Sequence, residues 1–219
     1  MNEGTDREWV EALARGLSVI RAFSAERPSM TLSEVAEATG LARATARRFL
    51  HTLDGLGYVR GDGRTFSLTP RVLELGTAYL SGLSLPEIVQ PHLEALSREL
   101  GESVSVAVLD GEDIVYVARV AVRRIMSVAI TIGTRFPASR TSMGHVLTGA
   151  EPWAMSDQEL EQGLRSIAAP LHDRDGRIVA AVNVSTSTAS VSREELLARH
   201  LPALLRTAAA IDADLGTVR

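Results

Sequence analysis

The sequence predicts an α+β protein of two parts, because the spacing of its apolar residues changes near the middle of the chain. Before Gly101 the apolar residues recur every three or four positions, as in amphipathic helices. After Gly101, Val104, Val106 and Val108 alternate with polar or small residues, as in half-buried strands. A chain of 219 residues is long enough for one small and one medium domain, each with its own core.

The composition excludes several classes of protein. The chain contains no cysteine, which excludes disulfides, thiolate catalysis and cysteine-ligated zinc. Residues 1–10 form no apolar leader and no run of eighteen apolar residues occurs, so we expect a cytoplasmic protein without a membrane anchor. The formal net charge of −4 argues against nonspecific coating of nucleic acid, so any contact with DNA must be local.

The first part is predicted to hold three helices followed by a hairpin. The elements are helices over residues 7–23, 31–39 and 42–54, and short strands near 58–60 and 65–68 around a glycine turn. Gly40 lies between the second and third helices and can adopt the positive φ of a sharp turn. A further helical pattern over residues 70–83 leads into Ser84-Leu85-Pro86, which we interpret as the joint between two domains.

The second part is predicted to be an α/β domain built on a mainly antiparallel sheet. The elements are a helix over residues 86–100, a hairpin around Asp110-Gly111, a strand over residues 125–132, a hairpin of residues 165–171 and 178–185, and a last helix from Ser192 to Leu215. These strands alternate with too few helices for a doubly wound parallel fold.

The predicted helix over residues 42–54 has one apolar face and one basic face. At about 100° per residue, the apolar side holds Ala42, Ala46, Phe49, Leu50 and Leu53, and the opposite side holds Arg43, Ala44, Arg47, Arg48 and His51. Two short helices joined at a glycine form a helix-turn-helix, whose second helix enters the major groove of DNA.

Such an arginine face is more often merely solvated, and spacing alone leaves that alternative open. Three features favour DNA: residues 38–53 contain no acid, Ala44 permits close approach to a groove, and the hairpin adds Arg60 and Arg64. The candidate DNA-binding residues are Thr31, Ser33, Arg43, Ala44, Thr45, Arg47, Arg48, His51, Arg60 and Arg64. One helix reads few base pairs, so specific binding implies a dimer, for which the apolar residues of the first helix are candidates.

Several stretches, taken in order, resemble the IclR family of bacterial transcriptional regulators. They are RGLSVIRAFS, TLSEVAEATGLARATARRFLHTLDGLGYV, FSLTPRVLELGTAYL, GESVSVAVLDGEDIVYVARV, RRIMSV, FPASRTSMG and DQELEQGLRSIAAPLHDRDGRIVAAVNVS. Within the family, ATARRFL, VARV with RRIMSV, and EQGLRSIAAP are similar to the branch that governs protocatechuate and β-ketoadipate pathway genes.

The resemblance implies a domain organisation and a set of partners. It implies a winged helix-turn-helix DNA-binding domain over residues 1–69, a linker helix over 70–85 and a GAF-like effector-binding domain over 86–219. It also implies a homodimer or tetramer that binds double-stranded operator DNA and a small organic acid, with no cofactor and no metal. Carried over by motif, the effector-binding residues are Ile125, Val128, Phe136, Ser142, Met143, Gly144, Asp157, Leu164, Ser166, Asn183 and Ser185.

The residues themselves support this pocket less strongly. Ser166, Asn183 and Ser185 are polar residues inside apolar strands, and the period of two places Asn183 and Ser185 on one face. Buried polar groups need partners, which a ligand carboxylate can supply, as can the side chains themselves or the backbone. The amides of Ser142-Met143-Gly144 suit an anion as well.

Three departures from the family pattern stand out. Ala42 occupies the position where Ser or Thr usually caps the recognition helix, and Ser139-Arg140 replaces the usual His-Ala. Family members also carry a few dozen helical residues between the regions of His145 and Trp153, where this chain has only a short bridge. Either the protein lacks that segment or the sequence omits it. We favour omission, because loss of this cover would leave apolar surface open.

The sequence offers no set of catalytic residues. The five histidines show no metal-ligand spacing, and the nucleophile, Walker and dinucleotide motifs are absent. His172 and Asp173 are expected to form a solvated pair. We therefore predict a regulator and no enzyme; the alternative is a small-molecule sensor whose N-terminal domain binds a protein partner.

Overall fold

The computed structural model describes residues 9–76, 85–122, 130–149 and 151–217. The chain divides into two units, residues 1–81 and 82–219, which we call the N-terminal unit and the C-terminal unit. In the described ranges, every helix is too short or too polar to span a bilayer.

The N-terminal unit contains the predicted helices and hairpin. Its elements are α1 (Glu11–Arg21), β1 (Ser29–Thr31), α2 (Leu32–Thr39), α3 (Arg43–Gly55), β2 (Val59–Gly61), β3 (Thr65–Leu68) and a 3-10 turn (Pro70–Val72). The strands form an antiparallel sheet in the order β1-β3-β2. The sequence did not predict β1, because three residues are too few to establish an alternating pattern.

The turn between α2 and α3 follows from local chemistry. The Thr31 hydroxyl accepts a hydrogen bond from the Glu34 amide, and the Glu34 carboxylate accepts one from the Thr31 amide, which completes a capping box. Gly40 ends α2 with a φ of 66°, a conformation that glycine adopts without strain. Ala42 occupies the N-cap of α3 without a side-chain hydrogen bond, as its methyl group requires.

A small core fixes the orientation of α3. Val19 of α1, Val35 of α2, and Ala46 and Leu50 of α3 have no exposed surface and belong to one apolar cluster. Residues on the opposite side of α3 must therefore face away from this core.

The C-terminal unit contains one six-stranded antiparallel sheet in the order β6-β5-β4-β9-β8-β7. The strands are β4 (Ser103–Asp110), β5 (Asp113–Val120), β6 (Arg135–Pro137), β7 (Ala154–Asp157), β8 (Leu164–His172) and β9 (Ile178–Ser187). The helices are α4 (Leu85–Leu100), α5 (Ser142–Thr148), α6 (Arg193–Glu195) and α7 (Leu201–Leu215), with a π-helical turn (Leu196–His200) between the last two. The prediction of an α+β fold with a mainly antiparallel sheet is confirmed.

The two faces of this sheet differ in chemistry. Val104 and Val106 of β4 and Val182 and Val184 of β9 share one face and are completely buried. Helices α4 and α7 pack on this face. The opposite face, which we call the pocket face, carries α5 and the cluster around Ala107 and Tyr116.

Two predicted elements differ from the structure or lie outside it. The strand predicted over residues 125–132 falls largely on residues 123–129, outside the described ranges, and residues 130–132 are not in a strand. The strand that pairs with β5 begins later, at Arg135, after a turn in which the Gly133 amide donates to the Tyr116 carbonyl. Of the predicted helix over 70–83, residues 70–72 form the 3-10 turn, 73–76 are helical and 77–83 are not described.

The short connection between α5 and β7 is well packed. Val146 is completely buried, and Leu147 and Trp153 are half-buried. Among the described residues between 133 and 177, no large apolar side chain is mostly exposed. The expectation that this short bridge leaves apolar surface open is therefore wrong for the described residues.

The uncapped start of α3 generates a stability prediction. In Ala42→Ser, the hydroxyl can accept a free amide of the first turn, so we expect the free energy of unfolding to rise by about 1 kcal/mol. Urea denaturation without DNA measures this change. The control Ala44→Ser lies inside the helix, where serine costs roughly 0.5 kcal/mol. Equal destabilisation by both substitutions would contradict the assigned N-cap.

Candidate DNA-binding face and ligand pocket

The outward side of α3 carries a continuous basic surface. Arg43, Arg47, Arg48 and His51 are exposed, whereas Ala46, Leu50 and Leu53 on the other side are buried. The β2–β3 hairpin, which we call the wing, adds exposed Arg60 and Arg64. These six residues are the basic face.

The arginines of the basic face have no acidic partners in the described part of the chain. None of the five takes part in a salt bridge there. The two acids within residues 43–64 serve the wing backbone instead: Asp54 accepts from the Gly61 amide, and Asp62 accepts from the amides of Arg64 and Thr65. The guanidinium groups are therefore free to contact phosphate or base edges.

The wing turn is held by a carboxylate. Hydrogen bonds to Asp62 from the Thr65 amide, the Arg64 amide and the Thr65 hydroxyl lower the pKa of this carboxyl to about 2. The carboxylate is therefore ionised at neutral pH and keeps its three hydrogen bonds. This arrangement fixes the direction in which Arg64 leaves the turn.

The remaining predicted DNA-binding residues lie at the margin of the basic face. Ser33 and Ala44 are exposed, and Thr31 is half-buried with its hydroxyl committed to the capping box. Thr45 is half-buried and, with Arg48, lines a groove between α1 and α3. Thr31 therefore acts first as a helix cap.

A row of small polar side chains crosses the pocket face. Residues paired directly across antiparallel strands share a face. The register pairs Ser103 with Ser185 and Ser105 with Asn183, and across β8 it pairs Ser185 with Ser166 and Ser166 with Ser156. All of these residues except Ser185 are buried. We call this set the polar row.

The other half of the pocket face is apolar. Ala107, Ala168 and Ala181 form a floor of small side chains, over which Met143 of α5 packs. Tyr116 lies beside them with its ring edge-on to Phe136, the centroids 6.0 Å apart. Burial raises the pKa of Tyr116 to about 12, so the phenol is neutral at physiological pH.

The start of α5 is occupied by its own residues. Thr141 accepts from the Gly144 amide, so this amide is not free for an anion. Gly144 packs so closely on Ala138 that a Cβ atom would lie 2.0 Å from the Ala138 carbonyl oxygen. The glycine is thus required for packing. Ser142 reaches the polar row, where its hydroxyl lies 2.8 Å from that of Ser166.

A small cavity separates α5 from the polar row. Its volume is about 10 Å³, and it is lined by Tyr116, Arg140, Thr141, Ser142, Met143, Ser156, Leu160, Leu164, Ser166, Asn183 and Ser185. We call this cavity the pocket. It includes six of the eleven predicted effector-binding residues: Ser142, Met143, Leu164, Ser166, Asn183 and Ser185.

The loop of residues 158–163, which we call the covering loop, closes the pocket. The Arg140 guanidinium donates to the carbonyl oxygens of Glu159, at 2.9 and 2.6 Å, and Leu160, at 3.2 Å. Gln158 starts the loop with a φ of 63°, and its side chain accepts from the Gly163 amide. Arg140 therefore fastens the covering loop over the pocket.

The other five predicted residues do not line the pocket or cannot be placed. Asp157 pairs with Arg165 at 3.0 Å, on the sheet face opposite Ser156 and Ser166, so its assignment to the pocket is wrong. Phe136 contacts Tyr116 behind the cavity, and Gly144 packs on Ala138. Ile125 and Val128 lie outside the described residues.

Sequence reasoning missed Arg119, which lies on the pocket face. The register pairs Arg119 with Ser105, and its guanidinium donates to the Ser105 hydroxyl at 2.9 Å. A simple count back from the hairpin turn would place Ala118 opposite Ser105. A bulge between Val106 and Ala107 shifts the register by one residue. The signal was therefore a backbone irregularity that the residue pattern does not show.

The polar row also decides between the alternatives left open by the sequence. Ser142 pairs with Ser166, and the Asn183 amide nitrogen donates to Ser185 at 3.0 Å, so these side chains do satisfy one another in part. The Asn183 carbonyl oxygen is buried without a partner among the described residues. One acceptor thus remains available inside the pocket face.

The expected His172–Asp173 pair is wrong. His172 instead places Nδ1 2.8 Å from the Asp212 carboxylate, and Asp173 accepts from the amides of Asp175 and Arg177 in the turn. In the part of the chain that the structure describes, no group of three or more His, Asp or Glu residues could hold a metal ion.

Both units match families of known sequence. Residues 12–63 match the IclR helix-turn-helix domain, and residues 77–152 and 148–213 match the bacterial transcriptional regulator IclR C-terminal domain. The Pca regulon regulatory protein of Pseudomonas putida is 41% identical over 239 aligned positions, which cover 91% of this chain and 82% of that protein.

Solved structures share the fold. A chain from Rhodococcus sp. RHA1, described as a transcriptional regulator, is 50% identical with a TM-score of 0.84 and covers 96% of this chain and 100% of that one. An IclR homologue from Microbacterium hydrocarbonoxydans, in complex with 4-hydroxybenzoate, is 20% identical with a TM-score of 0.81 and covers 94% and 99%.

A helix-turn-helix unit joined to an antiparallel α+β unit defines a class of bacterial transcriptional regulators, and these matches are to regulators rather than enzymes. The chain belongs to the IclR family. Its resemblance to the Pca branch of that family is confirmed.

The comparison also locates the shortened segment. The 239 aligned positions exceed the 219 residues of this chain, so the alignment with the P. putida protein opens gaps here. The two matches to the C-terminal domain meet at residues 148–152, between α5 and β7. The pocket lining is contributed by residues on both sides of this junction.

The contacts of Arg140 predict how the covering loop behaves. In Arg140→Ala the loop loses three hydrogen bonds, so we expect amide hydrogen exchange at Gly163 and Gln158 to become about tenfold faster. Exchange measured by mass spectrometry or NMR tests this expectation. Arg177→Ala, which removes an exposed arginine from a distant turn, is the control. Unchanged exchange in Arg140→Ala would show that the loop does not depend on this contact.

Proposed function

We propose that this protein is a ligand-responsive, sequence-specific DNA-binding regulator of aromatic-acid catabolism genes. The observation that carries the proposal is the basic face: five exposed arginines without acidic partners among the described residues, in a chain of net charge −4. An acidic protein that concentrates positive charge on one helix and its wing is suited to contact DNA at one surface.

The basic face fits a helix-turn-helix mode of binding. Arg43 and Arg47 are one turn apart on the exposed side of α3, within reach of base edges and phosphates in a major groove. Arg60 and Arg64 of the wing are placed to contact the flanking backbone. Binding to chromosomal operators implies a cytoplasmic location.

Specific binding requires a second copy of the chain. One recognition helix covers only a few base pairs, so two copies on paired half-sites are needed. The α1 helix and the residues before it expose Trp9, Val10 and Leu13, each more than 60% accessible. An exposed apolar stripe of this kind suits the interface of a homodimer or of the dimers within a tetramer.

The pocket fits a small organic acid. It combines a polar row with a floor of alanines, and the chain lacks acids at this site. The P. putida relative regulates the Pca regulon, and the Microbacterium homologue binds 4-hydroxybenzoate. These likenesses support an aromatic acid such as protocatechuate or 4-hydroxybenzoate, with β-ketoadipate as a further candidate.

Ligand binding and DNA binding are linked through their free energies. If the acid prefers one arrangement of the two DNA-binding units of a dimer, it shifts that equilibrium and changes operator affinity by its differential affinity for the two arrangements.

Removal of one arginine tests the basic face. Arg47→Ala should weaken operator binding by roughly tenfold or more and reduce its salt dependence, because a charged contact to DNA is lost. Fluorescence anisotropy against salt concentration provides both values. The control Arg27→Ala removes another exposed arginine of the same unit. Equal operator affinity for wild type and Arg47→Ala would rule out the assigned face.

A substitution in the polar row tests the pocket. Ser166→Leu replaces a buried hydroxyl with a larger apolar side chain, so acid binding should be lost while operator binding persists. Calorimetry with protocatechuate, 4-hydroxybenzoate and β-ketoadipate measures the first, and anisotropy the second. Ser190→Leu, at an exposed turn, is the control. Acid affinity equal to that of the wild type would remove Ser166 from the site.

A further inference from the structure

Arg119 is a cation on the pocket face whose hydrogen bonds are incompletely used. One terminal nitrogen donates to the Ser105 hydroxyl at 2.9 Å. The Nε atom is buried and has no hydrogen-bond partner in the described ranges. No carboxylate of the described residues forms a salt bridge with Arg119. A buried charged donor without a partner is destabilising, so its retention needs an explanation.

The surroundings of Arg119 favour an anion. The polar row around it consists of serines and Asn183, which cannot neutralise the guanidinium. Burial lowers the pKa of Arg119 below its ordinary value, yet a guanidinium stays protonated at neutral pH. The neighbouring Tyr116 is neutral, since its pKa is about 12. The positive charge therefore remains uncompensated on this face.

An unused acceptor lies one strand away. Ser105, which receives the Arg119 hydrogen bond, is paired directly with Asn183. Adjacent strands are about 4.8 Å apart, so the guanidinium above Ser105 and the Asn183 amide are near neighbours. The Asn183 carbonyl oxygen is buried and unpartnered among the described residues, while its nitrogen is satisfied by Ser185. The pocket face thus presents one free donor and one free acceptor.

We propose that Arg119 and Asn183 together select a hydroxy-substituted aromatic carboxylate as the ligand of the pocket. The ligand carboxylate accepts hydrogen bonds from Arg119, and a ligand hydroxyl donates to the Asn183 carbonyl oxygen. The alanine floor of Ala107, Ala168 and Ala181 leaves space for a flat ring. This inference rests on the proposed effector-binding function and specifies the chemistry of the same site.

The ligand must displace the covering loop to enter. A cavity of about 10 Å³ holds about one water molecule, which is far less than an aromatic ring needs. The loop carries Leu160 and is fastened by Arg140, both of which line the cavity. Opening of this loop enlarges the pocket on the side where Ser142 and Ser166 meet.

Calorimetry on the full-length protein with matched ligands tests the inference. The probes are 4-hydroxybenzoate, its neutral amide 4-hydroxybenzamide, and benzoate, which lacks the hydroxyl. Wild type should prefer the acid to the amide by about 10- to 100-fold, because a charge-assisted hydrogen bond is at stake. Arg119→Gln should lose this preference and bind both compounds with similar affinity. The control Arg177→Gln should bind as the wild type does.

A second arm tests Asn183. Wild type should bind 4-hydroxybenzoate about tenfold or more tightly than benzoate, and Asn183→Leu should reduce this difference to near unity. Circular dichroism establishes whether each variant is folded. If Arg119→Gln does not fold, the wild-type preference between acid and amide decides the question by itself.

The outcomes separate this inference from the function on which it rests. If wild type binds neither acid, the proposed effector class is wrong and the inference falls with it. If wild type binds 4-hydroxybenzoate but Arg119→Gln keeps the preference for acid over amide, Arg119 is not the carboxylate partner and only the inference is overturned. Equal wild-type affinity for the acid and the amide would overturn it as well.

Discussion

Both faces of the six-stranded sheet are covered by helices, and this constraint determines what the C-terminal unit can bind. One face meets it with valines that pack under α4 and α7. The other meets it with small polar side chains on one half and alanines on the other, beneath α5. Serine and alanine fill little volume, and buried polar groups need partners, so this second face is where a small polar ligand can be accommodated.

The same division of faces governs the N-terminal unit. Ala46 and Leu50 pack against Val19 and Val35, which turns the arginines of α3 outward. The two acids of this region are held by backbone amides of the wing, so they shape the hairpin without neutralising the arginines. A small apolar core and two correctly placed carboxylates are therefore enough to present a basic face on an acidic protein.

Sequence alone predicted what depends on local pattern. The helix-turn-helix follows from the apolar period of α3 and from Gly40, and the shared face of Asn183 and Ser185 follows from the period of two. The rest depends on pairing that no residue type announces. The bulge at Val106 and Ala107 brings Arg119 to the pocket face, and the register of β7 sends Asp157 to the opposite face. A shift of one residue reverses the direction of a side chain, so the content of the pocket could not be completed from the sequence.

The central claim is that occupancy of the pocket controls contact between the basic face and DNA. The most direct measurement is operator affinity of the full-length protein, by fluorescence anisotropy, across a titration of an acid that calorimetry shows to bind. The account predicts that operator affinity changes by about fivefold or more and saturates at the same acid concentration as the binding isotherm. An operator affinity that stays constant while the pocket fills would contradict it.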